Sequence, residues 1–207
     1  MTDTSQIPAS PEQARRGRRM ATLLFVIGFG PMIFATVMFY TGWFNPATST
    51  NKGQLVSPLQ PVQVLGLQGA DEQPLENRFG LDHPDPRWHL IIAAETCDSQ
   101  CEQLLYLARQ VNIALGKNAD RVRRVAYIGE LPEPLAARWE QEYPGLERLR
   151  VQDTRQPQWP AGADPAAEAQ ILVVDPMGNV MMRYGPQHTG KDMLTDLKHL
   201  LKLSQVG

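Results

Sequence analysis

The sequence predicts an α/β domain preceded by a single transmembrane helix. Three observations predict it. One stretch of 25 residues, Met20 to Phe44, contains no Asp, Glu, Lys, Arg, Asn or Gln. Beyond it, short apolar runs bounded by turn residues alternate with segments whose apolar residues recur at helical spacing. The two cysteines of the chain, Cys97 and Cys101, fall where the first strongly apolar run meets the first helical pattern.

As a helix, 25 residues rise roughly 37 Å, against a hydrocarbon core of about 30 Å. The stretch therefore spans with some tilt. Gly28, Gly30 and Pro31 are places where it can kink, which a membrane helix tolerates. Tyr40 and Trp43 lie near its far end, where amphipathic rings favour the interface. Arg15, Arg16, Arg18 and Arg19 abut its near end. The positive-inside rule then gives a cytoplasmic tail over 1–19, a span over 20–44 and an outward-facing remainder. The competing reading is a cleaved signal peptide. Its apolar region should run about 7–15 residues, however, and Ala47-Thr48-Ser49 matches a cleavage site only loosely. A buried core helix fits poorly, because the segment is apolar on every side.

The 207 residues allow one domain plus an appendage. A net charge of -2 gives no sign of nucleic-acid binding. From Asn45 onward there are 16 basic and 20 acidic residues, a mildly acidic balance that does not suit docking on anionic lipid.

Residues 1–14 are polar and expected to be disordered. Residues 45–61, rich in Asn, Thr, Ser, Pro and Gly, read as a linker, and 62–207 as the folded domain. Val62 to Leu67 alternates weakly and predicts a strand, followed by a turn over Gly69 to Asn77. Pro84 and Pro86 exclude a helix before Trp88. Trp88 to Ala94 is a short apolar run suited to a central buried strand. Leu104, Leu105, Ala108, Val111, Asn112 and Leu115 mark a helix that Gly116 ends. Arg121 to Ile128 reads as a strand. Pro132 to Tyr143 reads as a helix with Leu135, Trp139 and Tyr143 on one stripe, stopped by Pro144 and Gly145. Leu149 to Val151 is a short strand candidate, and Thr154 to Ala166 a loop. Ala169 to Val174 and Asn179 to Tyr184 form a hairpin about the turn Asp175-Pro176-Met177-Gly178. Thr189 to Leu203 is the last helix, with Met193, Leu194, Leu197, Leu200 and Leu201 on its apolar face.

The order β-α-β-α-β-β-α places a parallel β-α-β unit before a hairpin and a helix. That is a thioredoxin-like arrangement, and the cysteines lie where such a fold puts reactive ones, at a strand-to-helix junction. Four residues apart at a helix start, they share one face with Cα atoms about 6 Å apart, within reach of a disulfide. The helix dipole favours a thiolate there, and Glu95 opposes it. Three chemistries stay open. A structural disulfide closing so short a loop contributes only about 2 kcal/mol. Thiol–disulfide exchange is the second, and Cu(I) held by two thiolates and a third ligand the third.

The Cys-x-x-x-Cys spacing, the single N-terminal anchor and the strand-to-helix placement together resemble the Sco family. Ile171-Leu172-Val173-Val174-Asp175-Pro176-Met177-Gly178 is similar to that family's strand and Asp-Pro-x-Gly turn, as is Arg183-Tyr184 before the last helix. The likeness covers roughly residues 62–203. It implies a membrane-tethered thioredoxin-like protein of the inner membrane, with its C-terminal domain in the periplasm. It also implies work on cytochrome c oxidase assembly, whose partner is an oxidase subunit or its copper-site cysteines. The resemblance implies a thiol–disulfide oxidoreductase in which Cys97 attacks and Cys101 resolves, with no cofactor required. The alternatives are a Cu(I) chaperone and a non-catalytic assembly partner with a structural disulfide.

Two departures stand out. Glu102 occupies the place where the family has Pro after its second cysteine. The family's metal-ligating His, about eight residues before the turn Asp, is also absent, since Ala166-Ala167-Glu168-Ala169 stands there. His188, in the loop after the last strand, is the replacement ligand to test, giving a metal set of Cys97, Cys101 and His188. His83, His89 and His199 read as packing or solvated residues, and Glu168 as a poor ligand for soft Cu(I). Met181, Met182 and Met193 suit packing better than a copper site. Pro160 and Pro165 are candidates for a cis-proline beside the cysteines.

Overall fold

The computed structural model describes residues 11–42, 50–204 and 206. Contacts divide the chain into two units, 1–49 and 50–207. In the first, the apolar stretch from Met20 as far as Thr41 lies in one helix, α1 (Pro11–Thr41). Pro11 starts it, at a position whose N–H would be unpaired in any case. Residues 11–14, expected to be disordered, belong to this helix. Its portion Arg15–Thr41 is long and apolar enough to cross a membrane, and none of it is buried within the protein. Trp43, Phe44 and the first part of the expected linker lie outside the described residues.

The second unit is built on one seven-stranded sheet. Its strands are β1 (Gln54–Pro61), β2 (Leu67–Gln68), β3 (Trp88–Thr96), β4 (Val122–Glu130), β5 (Glu147–Val151), β6 (Gln170–Val174) and β7 (Asn179–Tyr184). They lie in the order β1-β7-β6-β3-β4-β5-β2. β3, β4 and β5 are parallel. β6 is antiparallel to β3, β7 to β6 and β1 to β7. The helices are α2 (Ser99–Ala114), the short α3 (Glu133–Ala136) and α4 (Trp139–Glu142), and α5 (Gly190–Leu203).

Alternation along β3 explains why its sequence is apolar throughout. Leu90, Ile92 and Ala94 face a core shared with α2 and α5, while Ile91 and Ala93 face a second core with Val62, Leu65, Leu67 and Leu75. A strand covered on both sides cannot alternate with polar residues.

Three elements differ from the sequence reading. Residues 54–61, read as linker, form the edge strand β1. Pro58 and Pro61 disguise it, yet an edge position tolerates residues that cannot donate to a neighbouring strand. Val62–Leu65 is a 3-10 turn rather than a strand, and its i,i+3 spacing buries Val62 and Leu65 together. Gly66 closes that turn at φ 58°, in the left-handed region. The expected helix over Pro132 to Tyr143 is broken at Arg138 into α3 and α4. Leu135, Trp139 and Tyr143 still all reach the core.

His89, on β3, is 2% exposed and packs against Phe79 with ring centroids 4.5 Å apart. Burial pushes its pKa down to about 4, and the charges of Arg123 and Arg78 push the same way. Between pH 4 and the ordinary value near 6.5, the unfolded chain takes a proton that the folded one refuses. Stability therefore falls as pH drops through that window. Urea melts at pH 7 and 4.5 are expected to differ by roughly 2–3 kcal/mol from this group. His89→Phe should flatten that part of the dependence; an unchanged slope in the variant would remove His89 as its source.

Candidate redox site

The site is assembled where β3 runs out. The β3–β4 ladder continues to Thr96 opposite Glu130, and the Cys97 N–H then reaches the Glu130 carbonyl at 3.4 Å. Asp98 follows with extended backbone and caps α2, its Oδ1 accepting from the Gln100 and Cys101 N–H groups at 3.0 Å each. This cap sets the phase of the helix, so Cys101 turns back over Cys97. The two sulfurs are joined as a disulfide with Cα atoms 5.1 Å apart. They belong to the core shared by α2 and α5. Cys97 is 3% exposed and Cys101 0%.

Above this buried pair the surface is polar and acidic. Glu95, Thr96, Asp98, Ser99, Gln100 and Glu130 are exposed. Glu95 accepts from the Tyr127 hydroxyl at 3.1 Å. Burial, then the Glu95 charge, pushes Tyr127 up to about 12, so it stays a donor at neutral pH. Gly129 leaves the room Glu95 needs, since a Cβ there would lie 2.6 Å from its carboxylate. Glu102, in the place of the expected Pro, forms an ion pair with Arg138 at 2.6 Å. It ties the first turn of α2 to the break between α3 and α4.

Asp98 has a chemical consequence that its capping role conceals. It occupies two first-turn amides of α2 and places a negative charge on the residue next to Cys97. Asp98→Asn keeps an equally good cap and removes that charge. The variant is expected to react with a thiol probe roughly threefold faster when reduced, part of the gain being lost to lower intrinsic nucleophilicity. Stopped-flow alkylation measures this, and an unchanged or slower rate would count against the electrostatic argument.

The His188 ring is engaged by its own loop and by Tyr184. Its Nδ1 accepts from the Gly185 N–H at 3.0 Å, and its ring stands edge-on to Tyr184 at 5.4 Å. Among the described residues no group of three or more His, Cys, Asp or Glu side chains is gathered to hold a metal ion. The proline expectation is corrected. The cis peptide bond among the described residues is Ser57–Pro58, and those before Pro160 and Pro165 are trans. The Pro165 carbonyl instead accepts from the Glu95 N–H at 3.0 Å, beside the end of β3. Met182 and Met193 are buried packing residues, as expected, and Glu168 and His199 are exposed. The Asp98 cap was legible, since Asp is a favoured residue just ahead of a helix.

Two family models match. One, described as the transmembrane-like N-terminal domain, covers residues 11–42. The other, described as the transmembrane-like, thioredoxin-like C-terminal domain, covers residues 88–204, more than half of the chain. The chain belongs to the transmembrane-like, thioredoxin-like family. In this family member the matched C-terminal region begins at β3 and ends just past α5, so it contains both cysteines and strands β3 to β7, while β1 and β2 precede it.

Similar solved structures include apo Sco1 from Thermus thermophilus (18% identity, 74% of this chain and 99% of that one, TM-score 0.49). Yeast Sco1 with copper bound is 12% identical over 76% of this chain and 96% of that one, with a TM-score of 0.48. A thio-disulfide isomerase from Thermus thermophilus is 18% identical over 74% of this chain and 98% of that one, with a TM-score of 0.45. No curated protein matches the chain.

Proposed function

We propose that this protein is a membrane-anchored thiol–disulfide oxidoreductase of the periplasmic face of the inner membrane. In this reading it keeps the copper-site cysteines of cytochrome c oxidase reduced during assembly. The Cys97–Cys101 disulfide at the head of α2 carries the chemical part of the reading. The arginines in the first turns of α1, just ahead of its apolar stretch, support the outward orientation of the domain. The choice of partner rests on the Sco-like sequence features set out above.

The cycle is written on the two sulfurs alone. In the reduced form the Cys97 thiolate attacks one sulfur of a partner disulfide, and the partner's other sulfur leaves as a thiolate. Cys101 then attacks Cys97 Sγ, forming the intramolecular disulfide and releasing the second partner thiol. Two electrons have passed to the partner. A dithiol protein of the same compartment must return them. Burial of the sulfurs means that exchange requires the first turn of α2 to open, which favours a docked partner over small thiols.

Equilibration of the full chain with glutathione buffers tests this proposal. A two-electron transition with a midpoint above about -300 mV is expected of a working couple. A midpoint below that, or a disulfide that opens only on unfolding, would make the pair a structural staple.

A further inference from the structure

A polar cavity lies at the end of the parallel strands away from the cysteines. Its volume is about 320 Å³, and its walls include His83, His89, Arg87, Arg123, Arg78 and Glu147. His89 and Arg123 are neighbours across β3 and β4, near the strand starts. Eight residues of strand separate His89 from Cys97, roughly 26 Å, so this cavity is distinct from the redox site.

The hydrogen-bond inventory of the walls is unbalanced. His89 Nδ1 lies 3.1 Å from the Arg87 carbonyl oxygen. A carbonyl can only accept, so Nδ1 carries the proton and Nε2 is left with a bare lone pair. That Nε2 is buried and has no partner. His83 has the opposite tautomer. Its Nδ1 accepts from the Asp85 N–H at 3.1 Å, which leaves Nε2–H as a donor.

The acids are already engaged. Glu147 takes both Arg78 Nη groups at 2.6 Å, with Asp71 at 3.4 Å from the same guanidinium. Asp85 takes Arg87 Nε at 2.7 Å. No ion pair or hydrogen bond among the described residues engages the Arg123 side chain. At His89 itself the cations outweigh the acid, the influences of Arg123 and Arg78 each exceeding that of Glu147.

Donors on Arg123, Arg87 and His83 beside one buried acceptor describe a ligand that is anionic and still carries a hydrogen. Monohydrogen phosphate has both features. Sulfate has the same shape and charge at neutral pH and lacks the hydrogen. We propose that this cavity binds a monohydrogen phosphate group, whose P–OH donates to His89 Nε2 while its other oxygens accept from Arg123 and its neighbours. The volume exceeds that of the bare ion and leaves room for a small ester stem.

The test is titration of the full chain, in a phosphate-free sugar detergent, with inorganic phosphate and separately with sulfate. Calorimetry and the ring-nitrogen NMR signals of His89 provide the readouts. Phosphate is expected to bind at least about tenfold more tightly than sulfate, because a buried acceptor left unpaired penalises the wrong anion. It should also move the Nε2 resonance. His89→Phe should erase the preference, and Arg123→Gln, on an exposed side chain, should weaken both anions. Glycerol 3-phosphate distinguishes the source when titrated at about pH 6, where a monoester keeps its P–OH in about half of the molecules: competition with phosphate indicates a site that admits an ester, and absence of competition the free ion. Equal binding of phosphate and sulfate, or an Nε2 signal that saturating phosphate leaves unmoved, would overturn the assignment.

Discussion

Full-length protein carrying Cys101→Ser is expected to accumulate as a mixed disulfide through Cys97, whereas Cys97→Ser should form none. The asymmetry follows from position. Cys97 precedes the helix, in the turn between Thr96 and the Asp98 cap, and retains 3% exposure, while Cys101 is one turn inside and wholly covered. An incoming disulfide therefore meets Cys97 first. Without Cys101 nothing attacks the mixed disulfide from within, and it persists. The fold should survive either change. The lost five-residue cross-link contributes about 2 kcal/mol, and Asp98 still caps α2 through the Gln100 and Cys101 amides. Affinity capture under non-reducing conditions, followed by mass spectrometry of the released partner, makes the measurement. Comparable adducts on both single variants would reverse the assigned roles. Adducts on neither would leave the disulfide without an exchange function.

Much of this site was legible in the sequence because its determinants are local. The apolar run of β3, the helical spacing after Cys101 and the turn at Asp175 each fall within a few residues, and each appears as read. The anchor was legible for the same reason, since length and composition are enough. What escaped depends on distant partners. β1 is specified by β7, more than a hundred residues away, and its own prolines argue against a strand. The break between α3 and α4 leaves Leu135, Trp139 and Tyr143 in one core, as an unbroken helix with that stripe would, so helical periodicity does not reveal it. The partners of His188 are set by the path of its loop, which turns the ring to Gly185 and Tyr184. The polar cavity beside His89 was invisible for the strongest form of this reason. Its walls come from residues 70 to 147, and only the register of β3 with β4 brings His89 beside Arg123.

Asp196→Ala is expected to be strongly destabilising. Asp196 lies on α5, is 5% exposed, and was not singled out by its sequence context. Its carboxylate accepts from the Lys52 N–H at 2.8 Å, the Gly53 N–H at 2.8 Å and the Tyr184 hydroxyl at 3.0 Å. These bonds fasten the first described residues of the second unit to α5 and β7. Gly53 makes the approach feasible, since a Cβ there would lie 2.5 Å from the Tyr184 ring. Burial and the Asp196 charge both push the Tyr184 pKa upward, so its hydroxyl remains a donor. Alanine would leave the buried Gly53 amide, the partly buried Lys52 amide and a buried hydroxyl without this acceptor, although Met182 Sδ, 3.0 Å from that hydroxyl, offers a weak substitute. With a penalty of about 1 kcal/mol or more for each orphaned donor, the loss is roughly 3 kcal/mol. For a domain of this size that lowers Tm by roughly 6–12 °C. Asp196→Asn, which keeps one acceptor oxygen, should fall between the variant and the parent. Hydrogen exchange locates the effect: the Lys52 and Gly53 amides should lose protection first, ahead of the β3–β4 ladder. A Tm within about 2 °C of the parent, with both amides still protected, would show that β1 is held by its pairing to β7 alone.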